Sequence, residues 1–112
     1  MSSALPQWLY VLRLVPRLWE TTGWTDRDAQ IVSEHFAYLQ NLCTEGSMLV
    51  VGRTHVSMKD NIGLAIFQAE TEEAAREIMN NDPVVMNNLM TAEIFPYNIS
   101  LLGRAVREFE TT

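Results

Sequence analysis

The chain has 112 residues, one cysteine (Cys43), one lysine (Lys59) and a formal net charge of -6, which sets its isoelectric point near 4.7. A chain of this length is expected to fold as one domain around one core, and its seven scattered arginines form no cationic stripe, which excludes a nucleic-acid partner. A lone cysteine excludes a disulfide framework and a thiolate zinc site; with no positively charged start before an apolar run and no apolar run approaching roughly eighteen residues, neither secretion nor membrane spanning is expected, and a cytoplasmic setting is.

Trp8 to Val15 alternates aromatic and branched residues and predicts a first strand. One of its faces carries Trp8, Tyr10, Leu12 and Leu14, the other Leu9, Val11, Arg13 and Val15. Pro16 ends it. The connection over residues 16–24 is longer than usual and holds Trp19 and Trp24, either as a lid over a site or as anchors of the loop. Thr25 to Gly46 then predicts an amphipathic helix, with apolar residues at Ala29, Ile31, Val32, Phe36, Leu39, Leu42 and Cys43. Thr25 and Asp28 form a capping-box-like start and Gly46 a left-handed stop. His35 falls inside the apolar stripe.

Met48 to Val56 predicts a second strand, interrupted at Gly52 by a bulge or a close approach. The polar turn Ser57 to Asn61 leads to a third strand, Gly63 to Ala69, apolar on both faces. Thr71 caps a second helix whose first turn holds Glu72 and Glu73 and whose inward residues are Ala74, Ala75, Ile78 and Met79. Asn80 and Asn81 end it. Asp82-Pro83 opens a short turn to Asn88. A fourth strand follows from about Met90 to Leu101, where Pro96 indicates an edge position or a bulge. A polar tail runs from Gly103 to Thr112.

The order strand, helix, strand, strand, helix, strand predicts an α+β fold, a ferredoxin-like βαββαβ sandwich with a four-stranded antiparallel sheet and both helices on one face, its core within about residues 8–101. The other sheet face stays apolar. A homodimer formed through that face is the expected cover.

His35 is the candidate acid/base residue, because a neutral imidazole takes and returns a proton near physiological pH. Asp82 reads as the cap of the short turn. Arg13 and Arg53, both in strands, could hold a carboxylate or an enolate, and Arg13 is the stronger candidate because it interrupts an apolar face of a central strand. Tyr38 and Tyr97 are candidate hydrogen-bond donors to a ligand. His55 reads as a solvated edge residue. No metal site is expected, since the two histidines lack ligand spacing. No glycine-rich phosphate loop or Gly-x-Ser-x-Gly elbow occurs, which leaves nucleotide chemistry and serine hydrolysis without support.

The ordered combination of Glu34-His35-Phe36-Ala37-Tyr38-Leu39, Leu42, Gly46, Val51-Gly52, Gly63-Leu64-Ala65-Ile66-Phe67, Thr71-Glu72-Glu73-Ala74 and Asp82-Pro83 resembles the YciI-like family of small dimeric α+β barrel proteins. The likeness spans about Trp8 to Pro96. It implies a ferredoxin-like protomer dimerised through its sheet, and a pocket with a His and Asp pair that falls here on His35 and Asp82. Members often have Gly-Pro where this chain has Gly52-Arg53, an aromatic residue at Val84, and glycine at Asn88. The expected function is a cofactor-independent lyase or isomerase of a small cyclic or aromatic-derived metabolite, in which His35 moves a proton and Asp82 orients it. The alternative is a non-catalytic dimeric module that binds a small ligand or serves as an accessory.

Overall fold

The computed structural model describes residues 5–106. The chain runs through β1 (Gln7–Leu14), α1 (Asp26–Glu45), β2 (Met48–Arg53), β3 (Gly63–Gln68), α2 (Glu72–Asn80), α3 (Pro83–Met86) and β4 (Met90–Tyr97). Two single 3-10 turns, Pro16–Leu18 and Thr21–Gly23, occupy the long connection after β1. All strand pairs are antiparallel and the sheet order is β2-β3-β1-β4. This is the expected ferredoxin-like α+β arrangement. The last residues of the predicted tail, 107–112, lie outside the described residues.

The alternation of β1 positions the core. Trp8, Tyr10 and Leu12 are buried on one face, opposite Phe67, Ala65 and Gly63 of β3 and Pro96, Ile94 and Ala92 of β4. Ile31 and Leu39 of α1, Ala75 and Met79 of α2 and Val84 of α3 close over them. The rings of Tyr10 and Phe67 meet edge to face at 5.6 Å, a favoured aromatic geometry. Among the described residues no helix covers the opposite face of the sheet. Val50 and Phe95 remain 38% and 42% exposed there, in line with Leu9, Val11, Leu64 and Ile66 across the strands.

Helix α1 starts and stops where its sequence says it should. The Thr25 side chain accepts from the Asp28 N–H, the Asp28 carboxylate accepts from the Thr25 N–H, and Gly46 takes φ 101°. Its inward row, however, is rotated from the expected stripe. Buried or half-buried positions are Asp28, Ile31, Val32, His35, Tyr38, Leu39 and Leu42, a three-and-four ladder. Ala29, Phe36 and Cys43 sit one residue further round and are exposed, so apolar identity alone misplaced that edge of the helix.

Three strand features differ from expectation. The register break in β2 falls between Met48 and Val50 rather than at Gly52, where an added Cβ would meet nothing within 4 Å. The strand stops at Arg53: the Thr54 N–H still reaches the Ile62 carbonyl at 2.9 Å, but the Ile62 N–H returns to the Thr54 hydroxyl at 3.0 Å, a side-chain acceptor. β4 ends at Tyr97 instead of Leu101. It is an edge strand, the position that tolerates Pro96 and its missing N–H.

Candidate functional site

A cleft of about 520 Å³ opens between α1 and the β2, β3 and β1 end of the sheet, with Trp24, His35, Phe36, Arg53, Asn61 and Leu12 among its lining. At its base stands His35, whose side chain is 13% exposed. Its Nδ1 lies 2.6 Å from Oδ1 of Asp82. Asp82 is fully buried. Its Oδ1 also accepts the Val84 N–H at 3.1 Å, as the cap of α3, and its Oδ2 accepts the Tyr10 hydroxyl at 2.8 Å. Three elements far apart in sequence therefore converge on one carboxylate: β1, α1 and the start of α3.

This arrangement has a chemical consequence. A carboxylate that accepts from a phenol and a backbone amide is matched to a protonated Nδ1, which leaves Nε2 as the basic nitrogen. Nε2 has no partner among the described residues, and no buried side-chain nitrogen or oxygen among them lacks one, so Nε2 is reachable from the cleft. Burial, and then the Asp82 charge, push the Tyr10 phenol far above its ordinary value. It stays a donor wherever the protein is folded.

The other candidates separate. Arg53 lines the cleft. Arg13 is exposed on the opposite sheet face, in register with Thr91, and does not line the cleft. Both faces of β1 are apolar, and the cleft lies over the face that Arg13 does not share. Tyr97 is paired with Gln7 at the far end of β1, about 17 Å along the strand from Leu12. Tyr38 turns toward α2, where its hydroxyl donates to the Ile78 carbonyl at 2.7 Å. Burial, then the charges of Asp82, Glu45 and Glu77, push its phenol up to about 12. His55 is exposed in the loop after β2.

Both tryptophans of the long connection are tied to backbone, Trp19 Nε1 to the Leu14 carbonyl and Trp24 Nε1 to the Leu18 carbonyl. Arg17 reinforces that loop with a two-pronged pair to Asp28, at 2.8 and 2.9 Å. Such anchoring is the geometry of a wall rather than of a swinging lid. Sequence reasoning missed Tyr10 as the third member of the His35 and Asp82 cluster and Asn61 as cleft lining. Tyr10 left a signal, a hydroxyl on the core face of a central strand, since a buried hydroxyl requires a partner. Among the described residues no three His, Cys, Asp or Glu side chains gather as metal ligands, and no helix is long and apolar enough to cross a membrane.

Against curated proteins the sequence has no match. Among solved structures the chain is similar to a 5-chloro-2-hydroxyhydroquinone dehydrochlorinase from Burkholderia phenoliruptrix AC1100, determined in complex with 2,5-dihydroxybenzoquinone. The superposition covers 82% of this chain and 93% of that one, with a TM-score of 0.62 at 17% identity, a likeness of fold. The family comparison is more direct, because the YCII-related domain matches residues 11–98, from β1 through β4 and across every side chain of the His35 cluster except Tyr10. On that match, the chain belongs to the YCII-related domain family.

Proposed function

We propose that this protein is a cofactor-independent lyase or isomerase that acts on a small cyclic or aromatic-derived molecule in the cleft beneath α1. His35 Nε2 takes a proton from a carbon or hydroxyl next to a carbonyl or phenol and returns it elsewhere on the same molecule or to its leaving group. Asp82 holds the ring in the tautomer that makes this possible and stabilises the imidazolium that forms. The observation that carries the reading is the 2.6 Å contact between His35 Nδ1 and a carboxylate buried behind it, with the other ring nitrogen left toward an apolar cleft. A neighbour of the same fold is a dehydrochlorinase determined with a quinone, and that likeness supports the choice of a ring substrate.

The working unit is a homodimer through the open sheet face. That face is apolar across its strands and also bears Arg13 and Glu93, one charge of each sign. A second copy related by two-fold symmetry is complementary to both features.

The test is a screen of small phenols, quinols and enolisable acids in D2O, followed by proton NMR for loss of substrate or wash-in of solvent deuterium. The expected result is turnover that disappears in a folded His35→Ala protein and falls at least tenfold in Asp82→Asn. Full activity of His35→Ala on the substrate found would overturn the proposal.

A further inference from the structure

The cleft is unusual in its charge. On a chain with a formal net charge of -6, no aspartate or glutamate among the described residues lines it, and among them Arg53 is the lining residue with a permanent charge. The Arg53 guanidinium makes no ion pair or hydrogen bond among the described residues. Asn61, which is half-buried, lines the same cleft.

Thr54 decides which end of the Asn61 amide faces a ligand. The Thr54 hydroxyl oxygen accepts the Ile62 N–H at 3.0 Å. Its single proton goes to the nearer of two acceptors, Asn61 Oδ1 at 2.8 Å, and not to the Ile62 carbonyl at 3.4 Å. The Asn61 NH2 is thereby left as the outward group, a donor held in place by the turn that ends β2. A guanidinium and an oriented amide, in an otherwise apolar cavity, form a donor pair with no acceptor to fill it.

We infer that Arg53 and Asn61 form an anion-binding subsite of the cleft, and that the ligand is a single-ring molecule carrying a carboxylate or similar oxyanion at this end and a hydroxyl or acidic carbon at the His35 end. A cavity of about 520 Å³ is the size of small-molecule pockets. Its wall of Leu12, Val32 and Leu39 suits the body of a ring. The inference rests on the reading of His35 as the proton-transfer group for one of its two ends only. Asn61 deepens that reading, because it aligns the ligand so that the hydroxyl, and not the carboxylate, meets Nε2.

The experiment measures dissociation constants by calorimetry at neutral pH for three probes on the full chain: 4-hydroxybenzoate, its neutral amide 4-hydroxybenzamide, and benzoate. The carboxylate is expected to bind about tenfold more tightly than the amide, the size of one charge-assisted contact at a partly open site. That preference should disappear in Arg53→Gln, persist in part in Arg53→Lys and shrink severalfold in Asn61→Ala, each variant checked for an unchanged far-ultraviolet spectrum. Equal binding of acid and amide to the unaltered chain, binding of neither at millimolar concentration, or a preference untouched by Arg53→Gln overturns the subsite. The hydroxyl end is read separately. The advantage of 4-hydroxybenzoate over benzoate should vanish in His35→Ala while the charge preference remains. A hydroxyl advantage that survives His35→Ala counts against the proton-transfer reading and leaves the subsite standing.

Discussion

Tyr10→Phe removes one oxygen from the centre of the molecule and leaves its shape almost unchanged. The Phe67 contact at 5.6 Å stays, so no cavity larger than a hydroxyl is made. What changes is Asp82. Its Oδ2 loses the 2.8 Å bond from the phenol, while Oδ1 keeps Val84 N–H and His35. Because both Tyr10 and Asp82 are fully buried, the freed oxygen has no route to bulk water. A hydrogen bond to a charged acceptor contributes about 1.5–3 kcal/mol, so a loss near 2 kcal/mol is expected. With an m of about 1–2 kcal/mol/M in urea, the midpoint should fall by about 1–2 M at unchanged slope. In an Asp82→Ala background the same change should cost much less, since its partner is already gone. A midpoint shift under about 0.3 M, or an equal cost in both backgrounds, would refute the claim that Tyr10 exists to satisfy Asp82.

Three further outcomes follow from other parts of the fold. The Arg17 guanidinium, followed by the Thr25 N–H, holds the Asp28 carboxyl well below the usual carboxylate range. A depressed folded value contributes stability that is complete above the unfolded value near 3.9 and is lost as pH falls through the folded value. Melting curves of the native protein and Asp28→Asn should therefore differ at neutral pH and converge in acid below about pH 4; a constant gap would dismiss the ion pair. Asn88 sits at φ 60°, so Asn88→Val should cost about 1–2 kcal/mol and Asn88→Gly should be neutral or stabilising, as thermal melts would show. Light scattering should give a species of twice the 12.8 kDa chain mass, and Ile66→Lys, on the open sheet face, should shift it toward the monomer; a native monomer at low micromolar concentration removes the dimer.

Much of the fold was legible because its signals are local. The Thr25 and Asp28 capping box, the Gly46 stop, the Thr71 and Asp82 caps and the edge position of Pro96 each depend on a few neighbouring residues. The sheet order then follows from chain connectivity. The site was legible only in part. The pairing of His35 with Asp82 came from a family pattern, and no periodicity could pair a helix residue with a cap 47 positions away. Arg13 was preferred to Arg53 because a strand with two apolar faces does not say which one meets the helices. Phe36 and Cys43 were drawn inward because hydrophobicity was read without the exact phase of α1. Asn61 carried no signal, since its orientation depends on a single hydroxyl proton on Thr54.

Asp82 caps α3, and under the proposed function it also orients His35, which bears on the choice between an enzyme and a passive binding module. A carboxylate offers about four acceptor positions. Tyr10 and the Val84 N–H already engage both oxygens, so Asp82 is tethered to β1 and α3 without help from His35. The imidazole is therefore not required to hold the carboxylate; the carboxylate is placed so as to hold the imidazole. Were His35 merely a strut between α1 and α3, an apolar residue at a position with 13% exposure would serve as well, and Nε2 would have no reason to face an apolar cleft with no partner among the described residues. A folded His35→Phe protein that keeps most of its stability but loses turnover is what this geometry demands, whereas a module held together by the pair should lose about 1–3 kcal/mol with the contact.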